Sequence, residues 1–224
     1  KAAASGNADA QNSIGYMYQY GEGGVEQDYL KAREWYSKAA TQGNSDAKKR
    51  LKELRKIEWC SKAAATGNVE AQITLGDMYY DGEGVEQDYA KAIEWYSKAA
   101  ESGNASAQDS LGYMYDEGLG VIQDYTKAMV WYSKAAAQGY SIAQYHVGCM
   151  YAEGLGVEQD YTKAIEWYEK AAAQGDIDAQ NNLGYMYQYG EGVEQDYVKA
   201  IEWYEKAAAQ GNKEAQEHLD ELKN

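Results

Sequence analysis

Two histidines, His146 and His218, and two cysteines, Cys60 and Cys149, stand in this 224-residue chain against 36 carboxylates. Metal binding and histidine-based acid–base catalysis both need such groups to converge. The histidines fall in different units of a repeat, and the cysteines at different places within it. Their spacing therefore offers neither a ligand set nor a catalytic pair. His146 reads as an outward-facing side chain with a polar contact. Carboxylates are so many that any two could be neighbours, and no acid–base pair stands out. The acidic turns, such as Glu83, Glu86 and Asp88, hint at calcium but lack the alternating ligand spacing of a calcium loop. Gly-x-Gly in those turns follows no strand, so it is not a dinucleotide motif. The chain reads as a non-enzyme with no catalytic residue, metal site or cofactor motif.

The feature that organises these residues is a repeat. Each full unit reads Ala-Gln-x-x-Leu-Gly-x-Met-Tyr, a Gly-rich turn, then Gln-Asp-Tyr-x-Lys-Ala-x-x-Trp-Tyr-x-Lys-Ala-Ala. Its opening Ala falls at 10, 47, 71, 107, 143, 179 and 215, in steps of 37, 24, 36, 36, 36 and 36. A period in this range predicts stacked helix pairs, and a surface built by stacking rather than a catalytic pocket.

The unit from Asn104 to Tyr140 shows how each pair is encoded. Asn104 is placed to cap the first helix. Ala107, Leu111, Met114 and Tyr115 lie on one face of it. Gly118 and Gly120 turn the chain, and Asp124 is placed to cap the second helix. Ala128, Trp131, Tyr132, Ala135 and Ala136 repeat the helical spacing, and Gly139 ends it as a C′ residue. The short connection predicts antiparallel helices. Gly15, Gly76, Gly112, Gly148 and Gly184 recur inside the first helix, each costing about 1 kcal/mol relative to Ala. That cost predicts close approach of the partner helix, under the Trp of that helix. Trp35, Trp95, Trp131, Trp167 and Trp203, with Trp59 in a shortened unit, are expected to be core residues that dominate each interface.

The pattern Ala-x-Ala-Gln-x-x-Leu-Gly-x-x-Tyr, Gly-x-Gly-Val-x-x-Asp, Lys-Ala-x-x-Trp-Tyr-x-Lys-Ala-Ala resembles the Sel-one-like repeat (SLR), a relative of the tetratricopeptide repeat. The resemblance runs from residue 1 to 217. It departs from the tetratricopeptide pattern in its longer Gly-rich turn and in Gln11, Gln72, Gln108, Gln144 and Gln180, which stand where that pattern has its first Trp. It implies an all-α, right-handed α-solenoid acting as an adaptor or scaffold. Cysteine-rich secreted members carry a disulfide in each repeat, and this chain does not. A hydrolase acting on cell-wall material, proposed for some relatives, is the alternative. A structural spacer is another, with head-to-tail contacts between Lys1–Asn7 and the C-terminal cap.

Two irregular places stand out. Gly23-Gly24 adds one residue to the first turn. The step of 24 removes a turn entirely: residues 45 to 65 hold no Gly and no Pro. One continuous helix of about 20 residues, or about 30 Å, is predicted there; a tight break near Lys56 is the alternative. The Leu-x-x-Leu spacing after Ala47 matches that after Ala215, so both segments read as caps. The expected organisation is a short array over 1–56 and a main array over 57–224 that ends in a capping helix at 213–224. Lys1–Asn7 matches Lys98–Asn104, so the chain opens partway through a second helix. It reads as a fragment from which a leader could be missing.

Net charge is −15. Phosphate binding needs clustered Lys and Arg, so nucleic acid is not the expected partner. No stretch has the length and apolarity of a membrane span. A basic protein or peptide suits the charge, as does simple solubility. The one basic cluster, Lys48, Lys49, Arg50, Lys52, Arg55 and Lys56, reads as a solvated face or as a dock for the acidic face of a second copy.

By resemblance, the free face of each first helix lines a concave groove. There Asp77, Tyr80 and Asp81 fall in one unit. Asp109, Tyr113, Asp116 and Glu117 fall in the next, then Tyr145 and Glu153, then Tyr185, Gln188 and Tyr189. Tyr gives contact area at low entropic cost, Gln can pair with a peptide main chain, and the acids select Lys or Arg. These are the expected protein- or peptide-binding residues.

Overall fold

The computed structural model describes residues 6–223, so the expectation about the first five residues lies outside the described part. The chain forms two compact units, Lys1–Ala99 and Ala100–Asn224. The first holds α1 (Ala8–Tyr20), α2 (Tyr29–Thr41), α3 (Ser45–Ala65), α4 (Val69–Asp81) and most of α5 (Tyr89–Glu101). The second holds α6 (Ala105–Glu117), α7 (Tyr125–Ala137), α8 (Ser141–Glu153), α9 (Tyr161–Ala173), α10 (Ile177–Tyr189), α11 (Tyr197–Ala209) and α12 (Lys213–Lys223). No strand occurs among the described residues. The fold is the all-α repeat expected: α1 packs on α2, α6 on α7, α8 on α9 and α10 on α11, and Gly76 of α4 lies against Tyr96 of α5.

Local chemistry sets the ends of these helices. Asn7, Asn44, Asn68 and Asn104 cap α1, α3, α4 and α6 through their side-chain oxygens. Asp28, Asp124, Asp160 and Asp196 do the same for second helices. Each of these Asp residues also pairs with the Lys three residues on, at 3.0–3.9 Å. Gly139 follows the end of α7 with φ of 85°, a left-handed conformation that suits Gly. Tyr140, at the cap of α8, is the exception and makes no side-chain capping bond.

The shortened unit folds as one continuous 21-residue helix, α3, with no break near Lys56. Ala47, Leu54, Ile57, Cys60 and Ala64 are its buried residues. It packs on both α2 and α4. One core cluster runs from Ala32 and Tyr36 through Leu54 and Ile57 to Leu75 and Val85, without interruption at residue 56.

The core differs from expectation in one respect. The residue against each helix-interior Gly is the Tyr after the Trp. A Cβ on Gly112 would sit 2.6 Å from Tyr132 Cδ1, and Gly15, Gly76, Gly148 and Gly184 meet Tyr36, Tyr96, Tyr168 and Tyr204 in the same way. These Tyr are at most 3% exposed. The Trp are half-buried, and Trp59 is 60% exposed. Adjacent helix positions point about 100° apart, so only one of a Trp-Tyr pair can face the first helix. The other is half-buried: Trp95, Trp167 and Trp203 pack against core clusters, and Lys134 Nζ sits 3.7 Å from the Trp131 ring centre. Lys38, Lys98, Lys170 and Lys206 cover Trp35, Trp95, Trp167 and Trp203 likewise.

Candidate protein-binding surface

A buried phenol needs a hydrogen-bond partner, and the free face of the first helix supplies it. Tyr36 and Tyr204 donate to Gln19 Oε1 and Gln188 Oε1, both at 2.7 Å. Tyr96 donates to Asp77 Oδ1 at 2.8 Å, and Tyr132 to Asp116 Oδ2 at 3.2 Å. Tyr168 donates to Cys149 Sγ at 3.4 Å. Burial holds all five phenols far above their usual range, so they act as donors. Several expected binding residues thus have a structural bond to make. Gln188, 7% exposed, is turned into its repeat rather than toward a ligand.

A second polar network links helix pairs to the helix before them. Gln138 at the end of α7 donates to Gln108 Oε1 at 2.8 Å, and Gln108 donates to the Ala100 carbonyl at 3.1 Å. Gln174 and Gln144, with the Ala136 carbonyl, repeat this, as do Gln210 and Gln180 with the Ala172 carbonyl. These amides replace the tetratricopeptide Trp by tying one helix pair to the helix before it. The sequence signal was a second Gln 30 residues after the first, at the end of the second helix. At the equivalent of Gln138 for Gln72, the sequence has Ser102. Gln72 Oε1 is buried without a hydrogen-bond partner.

In the first unit, Asp81 is exposed and Tyr80 packs its ring 5.5 Å from Tyr89. Desolvation pushes the Asp77 carboxyl up, against the lowering effect of the Tyr96 bond. Lys48, Lys49, Lys52, Arg55 and Lys56 of the basic cluster are exposed along α3. Lys56 pairs with Glu83 at 3.6 Å. Arg50 leaves this face: its guanidinium lies 4.8 Å over the Tyr16 ring.

In the second unit, Tyr113, Glu117, Glu153, Tyr185 and Tyr189 reach the surface, while Asp116 and Tyr145 are half-buried. Asp109 is 8% exposed and bonds His146 Nδ1 at 2.8 Å, the polar contact expected of that histidine. The His146 ring lies 4.5 Å from Tyr132. Two hollows open on this side. One, of about 360 Å³, is lined by Asp116, Glu117, Tyr125, His146, Cys149 and Glu153 among others. The other, of about 450 Å³, is lined by Glu153, Tyr161, Tyr185, Glu191 and Glu214 among others. Glu153 faces both, and neither lining includes Lys or Arg. Desolvation raises the Asp116 carboxyl, only partly offset by the Tyr132 bond. Among the described residues, no group of three His, Cys, Asp or Glu could hold a metal ion, and no helix is long and apolar enough to cross a membrane.

Helix pairs of 36 residues, Gly-rich turns with an Asp cap, and a Tyr-on-Gly core define a helical repeat protein. The Sel1 repeat matches residues 8–44, 69–104, 105–140, 141–176 and 177–212, and the chain belongs to the Sel1 repeat family. No curated protein shows a significant sequence match. Among solved structures, the chain is similar to a protective antigen of uropathogenic Escherichia coli strains that displays an SLR fold. Identity is 40% and the TM-score 0.70, over 99% of this chain and 50% of the antigen. It thus spans half the length of that relative. It is also similar to a Sel1 repeat protein from Oxalobacter formigenes, with 36% identity and a TM-score of 0.65 over 99% of this chain and 80% of the other. Sel1 repeat proteins typically mediate protein–protein interactions and are generally non-catalytic.

Proposed function

We propose that this chain is an interaction scaffold that binds a basic peptide or protein segment across the first-helix faces of its second unit. The observation that carries this reading is the pair of hollows that share Glu153, each lined by Tyr and carboxylates and neither by Lys or Arg. Tyr supplies contact area, and the carboxylates select Lys or Arg. Asp81 and Tyr80 would extend the same chemistry in the first unit. The reading needs no cofactor, nucleic acid or membrane.

The test is fluorescence anisotropy with labelled nonapeptides of basic, neutral and acidic composition. Basic peptides should bind best, weakening as salt rises. Glu153→Lys should weaken them at least about tenfold, since it places a cation beside both hollows. Tyr113→Ala with Tyr145→Ala should weaken binding while leaving helicity intact. Charge-blind binding, or unchanged binding by Glu153→Lys, would exclude this surface.

The exposed Lys face of α3 favours a second, compatible reading, in which it docks on the acidic face of another copy. Mass measured by sedimentation should then fall toward monomer as salt rises; a monomer at every salt concentration ends this reading. We also propose that α3 is the joint between a short array before residue 57 and a main array after it.

A further inference from the structure

The chain carries the same first-helix face twice. Asp9, Asn12, Tyr16, Gln19 and Tyr20 of α1 recur as Asp178, Asn181, Tyr185, Gln188 and Tyr189 of α10. The geometry recurs too. Tyr16 and Tyr20 have ring centres 4.6 Å apart at 42°, and Tyr185 and Tyr189 4.5 Å apart at 46°. In both, the intervening Gln accepts from the buried Tyr at 2.7 Å and its Nε2 lies 3.4 Å from the outer Tyr hydroxyl.

The two copies differ in what faces them. On α1, the Arg50 guanidinium stacks over Tyr16 at 4.8 Å and lies 6.0 Å over Tyr36, close enough to Tyr20 to act on its phenol electrostatically. Tyr16 and Tyr20 are half-buried beneath it. On α10, the position of Arg50 is taken by His218, which stacks on Tyr204 at 4.8 Å and lies between Glu214 and Glu221, at 4.0 and 3.9 Å. Tyr185 and Tyr189 are 41% and 51% exposed. The copy without the arginine therefore has two open rings, and Tyr185 lines a hollow together with Glu191 and Glu214.

We propose that the Tyr185–Tyr189 pair is an arginine-binding site that receives a guanidinium from a protein partner, as Tyr16 and Tyr20 receive Arg50. A planar guanidinium can stack on one ring while donating to the other hydroxyl, which a lysine ammonium cannot match. Glu191 and Glu214, which line the same hollow as Tyr185, supply the opposing charge. This specifies one contact of the scaffold reading above and rests on it for its biological partner, but not for the site itself.

The probe is N-acetyl-arginine amide, compared with N-acetyl-lysine amide, titrated against protein with ring-labelled tyrosine and followed by NMR. Arginine should shift the Tyr185 and Tyr189 signals saturably, with lysine at least about fivefold weaker. Tyr189→Ala should abolish the saturable response without loss of helicity. Arg50→Ala should open a second arginine site, seen at Tyr16 and Tyr20. No saturable shift, an equal response to lysine, or no new site in Arg50→Ala would overturn the proposal. Basic nonapeptides that bind at the hollows with equal affinity to Tyr189→Ala and to the parent would also overturn it, while leaving the scaffold reading standing. Failure of every basic nonapeptide, with the arginine shift intact, would remove the scaffold reading alone.

Discussion

Tyr132 lies so close over Gly112 that a single added Cβ would come 2.6 Å from its ring. The same pairing is present in five repeats, so the Gly is the socket and the Tyr the knob of each helix pair. Helix propensity alone says Gly112→Ala should stabilise by about 1 kcal/mol. Overpacking costs about 1–3 kcal/mol. Gly112→Ala should therefore lower stability in urea denaturation; a higher midpoint would refute the socket.

The Trp-Tyr pair divides its work unequally. Tyr132→Ala should cost about 3–5 kcal/mol, as expected for a fully buried aromatic. Trp131→Ala removes a half-buried ring covered by Lys134 and should cost about 1–2 kcal/mol. Equal losses in parallel denaturation curves would return the Trp to the core.

The glutamine network gives a sharper test because it is polar. Gln174→Ser leaves Gln144 Oε1 in the situation of Gln72 Oε1, buried and unbonded. The expected loss is about 1 kcal/mol, the scale of one neutral hydrogen bond. Thermal unfolding of Gln174→Ser unchanged from the parent would show that water serves the amide as well.

Tyr140 stands at a cap position without making a capping bond. Tyr140→Asn should supply the bond that Asn104 makes to Ala107 N at 2.9 Å and gain about 1 kcal/mol. An unaltered melting temperature would show that Tyr140 packing already offsets the missing cap.

Two kinds of aspartate should respond to acid in opposite senses. The backbone N–H of Lys127, before the other influences on it, holds the Asp124 carboxyl below its usual range. Its contribution to stability is present above the unfolded value and is lost as pH falls through the lower folded one. Desolvation raises Asp116. Its contribution is complete below the unfolded value and is lost as pH rises through the higher folded one. Carboxyl NMR titration should find Asp116 protonating at higher pH than Asp124. Asp116→Asn should flatten the decline of stability as pH rises from the unfolded aspartate value through the higher folded one. The reverse order of titration would contradict the desolvation of Asp116.

The sequence by itself determined the helix pairs, their caps and their boundaries. Those depend on local chemistry: an Asn or Asp that reaches a backbone N–H three residues on, a Gly free to take positive φ, and a 3.6-residue apolar spacing. The long helix α3 was legible for the same reason, since nothing between residues 45 and 65 can break a helix. Which ring of Trp-Tyr enters the core was not legible, because both are aromatic and the choice turns on the rotation of one helix against another. The first-helix face was legible as Tyr- and acid-rich, but its internal bonds were not. Tertiary structure turned Gln188 and Asp109 inward to satisfy a phenol and an imidazole. It also took Arg50 from a basic surface cluster and laid it on Tyr16. Each of these depends on a partner from another helix, because leaving a buried polar group unpaired costs about 1–3 kcal/mol.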